Sequence, residues 1–493
     1  MNKYIYVLAF TAGMCIMAVE LCASRLMAPY FGTSTFVWTN IIGVIMIALA
    51  IGYIIGGRLA DSHPDLKVLN SLICLGCLWL LLIPWLTPFL IKQLFFFFSS
   101  VNSAAFFIFG GSLIAIILLF VLPIILLGAT SPFLIKILSI NNKNIGNVAG
   151  LIFGVSTIGS IVGTFVPVLI FIPIFGTSRT IIFFATILFV LSVIGFFSKK
   201  HYLLILILIL PWLINLPEIK SSEGKIIDTE SEYQYIQVDD IGEYRYLRFN
   251  DGMGIQSMYK KGEKLTGHYY DFFSLLPAIN QAQEALIVGL AGGTIANQLI
   301  NYYPQIKVDG VEIDPKVIEI AQEYFALNPQ VNIFNQDGRI YLTQSDKKYD
   351  LIVIDAYSQQ MYIPFHLATK EFFKLVSQHL NENGVVAMNV NAASPDSKLL
   401  RSITNALNLV FKNVAIIPDQ SNSYNYLVLA SDTEIIFPVQ PISEDLANMS
   451  TYAQANIQKV NFDSQYDILT DDRSPIEFYT DWMILDYLFK NVN

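Results

Sequence analysis

The sequence predicts two joined architectures. The first is an α-helical transmembrane domain of about six to seven helices; the second is a small antiparallel β-sheet followed by a Rossmann-like α/β domain. Three observations carry this. Of 493 residues, 54% are hydrophobic, and the mean hydropathy is +0.52, values that place part of the chain in lipid. Charge divides near residue 217, with ten Lys and Arg against three acids (Glu20, Asp61, Asp65) before it and 20 against 36 after it. The balances of +7 and −16 make up the net charge of −9. Beyond residue 280, short β-branched runs alternate with helical stretches, the pattern of a parallel sheet with crossover helices. The boundaries drawn are 1–217 for the helical domain, 218–280 for the hairpin domain and 281–493 for the α/β domain.

In the first part, apolar runs recur at 4–23, 36–57, 68–90, 104–128, 148–172 and 180–198, each long enough to cross about 30 Å as a helix. The first lacks a small-residue cleavage site, so it reads as a span and not as a removable signal. A seventh run, 202–216, has 15 residues including Pro211, short of the usual span of about 17–25. With the N-terminus inside, Lys3, Arg58, Lys67, Lys136, Lys143, Lys199 and Lys200 face the cytoplasm, against Arg25, Lys92 and Arg179 outside. This positive-inside bias favours six spans, with 202–216 interfacial or re-entrant. Gly146, Gly150 and Gly154 recur every four residues and Gly159 and Gly163 repeat that spacing, which predicts close helix packing. Glu20 inside an apolar run needs a partner or water, and Arg25 is one candidate partner.

The four cysteines (Cys15, Cys22, Cys74, Cys77) all lie in apolar segments. Cys74-x-x-Cys77 has no second half, so no metal is expected. The acidic second part is a poor nucleic-acid surface, because phosphate binding needs basic charge.

In the second part, residues 226–259 have short aromatic and β-branched runs broken by Asp-Asp-Ile-Gly and Asn-Asp-Gly, the signature of hairpins. Strands then follow at 285–289, 307–313, 332–335, 351–356 and 385–390, with helices from Gly293 and Pro315 and over 338–345 and 369–380. Such a sheet binds ligands at the carboxyl ends of its strands. Four elements fall at those ends. The loop Gly289-Leu290-Ala291-Gly292-Gly293 lets backbone approach a ligand at a helix N-terminus. Glu312 can accept from ribose hydroxyls, Asp337 from an adenine amino group, and Asp355 lies where the reacting atom would sit. The G-x-G-x-x-G positions read Gly289, Ala291 and Thr294, a poor dinucleotide fingerprint. The layout favours a single adenosine, as in an adenosyl sulfonium.

These residues resemble the spermidine synthase (polyamine aminopropyltransferase) family over nearly all of 226–432. The carriers are Tyr233-Gln234, Asp251-Gly252…Gln256, Tyr269 before Leu276-Pro277, the glycine loop, VEIDPKVI (311–318), QDGR (336–339) and DLIVIDAYS (350–358). The helical part resembles that of proteins described as fused transporter–spermidine synthases, through 20–43, GYIIGGRLAD (52–61) and LLGATSPFLIK (126–136), with LTDDRSPIEF (469–478) near the C-terminus. The resemblance implies that Gln234, Gln256, Gly289, Gly293, Glu312, Asp314, Asp337 and Gly338 surround the donor. It implies that Asp355 is the catalytic base and that Tyr269, Tyr357 and Ser358 line the acceptor path. The donor implied is decarboxylated S-adenosylmethionine or S-adenosylmethionine, the acceptor a small amine or polyamine, and the assembly a homodimer. The setting implied is a bacterial inner membrane with the soluble domain cytoplasmic. The family has an Asp where this chain has Gly292, and a second Asp of D-S-x-D where it has Ser358. Two other readings stay open: a methyltransferase with a lipophilic acceptor, and a transporter or sensor whose soluble domain binds ligand.

Overall fold

The structure, a computed structural model, describes all residues except 1, 33, 100–106, 141–143, 197–205, 207, 218, 220–222, 251–253, 358–361, 421–423, 439–442 and 491–493. The chain forms two compact units. One comprises Met1–Ser221 with Glu230–Tyr235, the other Ser222–Thr229 with Ile236–Asn493.

The first unit contains six helices long and apolar enough to cross a membrane: α1 (Lys3–Phe31), α2 (Thr35–Ser62), α3 (Leu66–Phe97), α4 (Phe109–Ser139), α5 (Ile145–Phe175) and α6 (Thr177–Ile194). Each of the six longer apolar runs lies within one of these helices or overlaps it. In the seventh, the described helix is Ile209–Leu213, five residues, too short to span. Glycine sets the closest packing. A Cβ built on Gly159 or Gly163 would stand 2.0 or 2.1 Å from the carbonyl oxygen of Phe10 or Met14, and one on Gly13 would stand 2.2 Å from that of Ser156. Helices α1 and α5 therefore meet backbone to backbone. Gly146, Gly150 and Gly154 differ, since nothing lies within 4 Å of their Cβ positions; that part of the repeat packs on no described residue.

Wide π-turns at Ile117–Val121 and Phe107–Gly111 interrupt α4 or adjoin it. Pro123 cannot donate to the carbonyl of Leu119, and that oxygen instead accepts from Trp79 Nε1 at 2.9 Å. The carbonyl of Phe109 accepts from Asn40 Nδ2 and Ser112 Oγ, both at 3.0 Å. Side chains thus satisfy the backbone groups that a wide or interrupted turn releases, as an apolar surrounding requires. Among the described residues no ion pair joins Arg25 to Glu20; the Arg25 guanidinium donates to the carbonyl of Glu232.

The second unit opens on a four-stranded sheet in the order β1 (Lys225–Glu230), β2 (Tyr235–Ile241), β3 (Tyr244–Phe249), β4 (Ser257–Lys260). The eight-stranded sheet that follows comprises β5 (Glu284–Val288), β6 (Lys307–Glu312), β7 (Asn332–Asn335), β8 (Tyr349–Ile354), β9 (Leu380–Asn391), β10 (Asn413–Pro418), β11 (Asn425–Ser431) and β12 (Gln458–Lys459). Its spatial order is β12-β10-β11-β9-β8-β5-β6-β7. Strands β7, β6, β5, β8 and β9 run parallel, while β11, β10 and β12 add an antiparallel flank. Both faces are covered. Leu286, Val288, Ile352 and Ile354 enter one core, while Ala285, Ile287, Leu351 and Val353 enter the other, which is why these strands are continuously apolar. The chain reverses its direction of sheet growth between β5 and β8, the switch point at which such sheets bind ligands.

Candidate active site

Register places the strand-end residues at one level. Val288 of β5 pairs with Val311 of β6 on one side and Ile354 of β8 on the other, so Gly289, Glu312 and Asp355 leave their strands side by side. Ile354 also pairs with Met388 of β9, which brings Asn389 level with Asp355.

Gly289 has φ +90°, and a Cβ there would stand 2.6 Å from the carbonyl oxygen of Asp355 and 2.7 Å from Ala356 Cα. The glycine loop and the Asp355 strand end are in backbone contact, so a side chain is excluded on two counts. Gly293 has φ +80° and precedes the helix Thr294–Tyr302. Thr294 Oγ1 donates to the carbonyl of Met258 at 2.8 Å and accepts from its N–H at 3.1 Å, which ties the helix start to β4. At Gly292 a Cβ would stand 2.7 Å from Ser257 Cβ and 3.0 Å from Phe325 Cγ. The Gly292 N–H donates to Ser257 Oγ at 2.8 Å. The space an acid would need at this position is already filled.

Glu312 accepts from Ala291 N at 2.9 Å and from Asp314 N at 3.1 Å. Burial outweighs these two donors and pushes its carboxyl up to about 7. Asp314 is fully buried and caps the helix Pro315–Tyr324, accepting from Lys316 N at 2.9 Å. Asp337 caps the helix Gly338–Gln344 through one oxygen, which accepts from Arg339 N at 2.9 Å and Ile340 N at 3.0 Å. Its other oxygen lies 3.1 Å from His366 Nε2, and that contact, ahead of the backbone donors, holds the carboxyl below its ordinary range. Arg339 donates to the carbonyl of His366 at 3.0 Å and to Asp471 at 2.7 Å, linking QDGR to the C-terminal LTDDRSP segment.

Asp355 sits in a crowded, partly open position. Tyr269 OH donates to one carboxylate oxygen at 3.1 Å, and Asn389 Nδ2 donates to the other at 3.1 Å. Burial exceeds what these two donors offset and raises the carboxyl from 3.8 to about 6. Burial also pushes Tyr269 and Tyr357 well above the ordinary phenol range, so both remain neutral donors. Tyr357 OH donates to the Asn389 carbonyl at 2.8 Å.

The structure thus brings together Tyr269, Gly289, Gly293, Glu312, Asp337, Gly338, Asp355 and Tyr357 around the carboxyl ends of adjacent strands. Gln256 begins the run into β4, its N–H bonded to the carbonyl of Leu247 at 2.8 Å. Gln234 is buried in Glu230–Tyr235, a segment that groups with the helical unit. Ser358 and the Asp251-Gly252 turn lie outside the described residues. Asn389 was not singled out from the sequence. Its signal was a lone amide in the apolar run VVAMNV.

Residues 274–436 match the model of the spermine/spermidine synthase domain. A probable polyamine aminopropyl transferase of Bifidobacterium longum is 35% identical over 270 residues, half of this chain, which spans 60% of that relative's length. The polyamine aminopropyltransferase of Vibrio vulnificus is 30% identical over 273 residues, 51% of this chain and 89% of the relative. Among solved structures, a probable spermidine synthase from Corynebacterium glutamicum is similar at TM-score 0.42 and 19% identity, covering 52% of this chain and 98% of that one. With the family domain matched and the Vibrio relative covered nearly end to end, the chain belongs to the spermine/spermidine synthase family.

Proposed function

We propose that the protein is a membrane-anchored aminopropyltransferase that moves an aminopropyl group from decarboxylated S-adenosylmethionine to an amine or polyamine, with Asp355 as base. The observation that carries this is the Asp355 carboxylate, held by Tyr269 and Asn389 at one level with Gly289 and Glu312. The cradle fits an adenosyl donor, since two glycines at positive φ keep side chains out of the loop and a carboxylate stands at the end of β6. In this reading Gln234, Gln256, Gly289, Gly293, Glu312, Asp314, Asp337 and Gly338 surround the donor, with Tyr269, Tyr357 and Ser358 on the acceptor side. Asp314 contributes as the cap that fixes the start of its helix. Residues 281–493 carry the donor fold, 218–280 the small sheet domain and 1–217 the anchor.

An amine arrives protonated at neutral pH, and an ionised Asp355 holds its ammonium by charge and hydrogen bond. As the proton passes to the carboxylate, the freed nitrogen pair forms a bond to the carbon beside sulfur. The carbon–sulfur bond breaks and its pair stays on sulfur, leaving a neutral thioether and an aminopropylated amine. Tyr269 and Asn389 direct the carboxylate oxygens and keep part of the population ionised against the cost of burial. The anchor reading places the catalytic half in the cytoplasm of a bacterium, beneath the inner membrane, and includes pairing into a homodimer. Reporter fusions after Lys200 and at the C-terminus should both be active on the cytoplasmic side; a silent C-terminal fusion refutes that orientation. Asp355→Asn should cut aminopropyl transfer by roughly a thousandfold while leaving donor affinity within a few-fold. A variant that keeps its turnover overturns the assignment.

A further inference from the structure

Tyr269, whose hydroxyl holds Asp355, begins a short 3₁₀ turn, Tyr269–Leu275. Its approach, Thr266-Gly267-His268, bends through Gly267 at φ +77° and leaves backbone N–H groups that need an acceptor. Asp271 meets them by reaching back along the chain. One carboxylate oxygen accepts from Thr266 N and Thr266 Oγ1, both at 2.9 Å, and the other from Gly267 N at 2.7 Å. Thr266 Oγ1 in turn accepts from His268 N at 3.2 Å.

A further donor comes from outside the turn. Gln298 Nε2 donates to Asp271 at 2.5 Å, from the middle of the helix Thr294–Tyr302 into which the glycine loop leads. Gln298 is buried and, among the described residues, its Oε1 has no hydrogen-bond partner. The bond to Asp271 is the amide's one tether. Asp271 is itself buried, and bonds from four donors to one carboxylate fix its position closely. A 3₁₀ turn has about three residues per revolution, so Tyr269 and Asp271 leave it on different sides, while Tyr270 and Phe273 enter the core. With Asp271 held at the loop and at Gln298, the turn cannot rotate. The Tyr269–Asp355 bond is 3.1 Å long, and a rotation that moved the hydroxyl by about 1 Å would break it.

We propose that Asp271 is a positioning residue for the transfer reaction, fixing the turn so that Tyr269 keeps its bond to the Asp355 base; this rests on the aminopropyltransferase reading. Asp271 acts through Tyr269. By way of Gln298 the same carboxylate ties that phenol to the helix that begins at the donor loop.

The test compares Asp271→Asn, Tyr269→Phe and the double variant in the full-length chain in detergent, with decarboxylated S-adenosylmethionine and a diamine. An amide cannot accept from all four donors, so Asp271→Asn releases the turn. It should lower kcat by roughly 10- to 100-fold, with donor Kd within about threefold. The Tyr269 hydroxyl favours ionised Asp355. Both single variants should therefore move the acid limb of kcat/KM, near 6, upward by a similar amount, about half a pH unit or more. Among the described residues the titratable groups facing Asp355 are Tyr269, Tyr270 and Tyr357, all pushed above the ordinary phenol range by burial, so the limb reports Asp355. In the Tyr269→Phe background, Asp271→Asn should lower kcat by less than about threefold more. Full additivity, an unmoved limb or wild-type kcat in Asp271→Asn overturns the proposal. If Asp271→Asn does not fold, Gln298→Met replaces it. That variant removes one donor together with an unpartnered oxygen, and should give a few-fold loss of kcat with the same non-additivity. If the wild type transfers no aminopropyl group, the transferase reading fails, and melting judges the positioning claim separately. The pH at which Asp355→Asn stops gaining stability over its parent, about 6, should move up in the Asp271→Asn background. An unmoved value refutes the claim.

Discussion

Asp355→Asn should make the protein more stable at neutral pH. Within the fold the carboxyl ionises at about 6 instead of 3.8, chiefly because burial disfavours the charge. The difference corresponds to at most roughly 3 kcal/mol by which ionised Asp355 opposes folding. The sign follows from proton uptake. Between 3.8 and 6 the folded chain holds a proton that the unfolded chain has released, so this residue's contribution to stability falls as pH rises through that window. Above about pH 6 the full cost is present; below about 4 it has vanished. An amide carries no such charge, although it meets Asn389 and Tyr269 less well, so a net gain of about 1–2 kcal/mol is expected at pH 7.5. The assay is thermal melting of the detergent-purified chain, wild type and variant, across that pH range. The variant should melt higher at pH 7.5, with its advantage shrinking toward pH 4.5. A variant that melts lower at pH 7.5, or whose advantage does not change with pH, refutes the claim that burial strains this carboxylate.

Two further outcomes follow from the same geometry. Asn389→Ala removes a donor that favours ionised Asp355. The acid limb of kcat/KM, expected near 6 in the wild type, should therefore move up by about one pH unit; an unmoved limb means that Asn389 does not tune the base. Gly292→Asp should not improve the enzyme. Its Cβ would meet Ser257 and Phe325 at 2.7 and 3.0 Å, so a loss of roughly 1–3 kcal/mol in melting experiments and weaker donor binding are expected. Higher donor affinity in this variant would show that the loop rearranges readily.

Glu312 and Asp355 could be read from the sequence because Glu312 ends β6 and Asp355 follows β8, at the carboxyl ends of parallel strands where such sheets bind ligands. Asp337 was read as an acceptor for an adenine amino group, and in the fold both of its oxygens already have protein partners. One oxygen caps a helix and the other meets His366. Asp314 looked equally ligand-like, yet it is fully buried as a cap, because the strand–turn–helix junction demands an N-terminal acceptor there. Asn389 was invisible for a different reason. It becomes part of the site only through pairing across strands distant in sequence, Ile354 with Met388. No local period encodes such a register. The absence of an acid at 292 was plain in the sequence, but its cause, Ser257 filling the space, needed β4 to be folded against the loop. The antiparallel flank β10–β12 also went unread, since its strands follow no crossover pattern.

The most direct test is product analysis with the two sulfonium donors side by side. The purified chain is incubated with each donor and a diamine, and nucleoside and amine products are resolved by mass. Decarboxylated S-adenosylmethionine should yield methylthioadenosine and aminopropylated amine in equal amounts, with S-adenosylmethionine inert. Methylated amine with S-adenosylhomocysteine, or no product from either donor despite tight binding, would contradict the account.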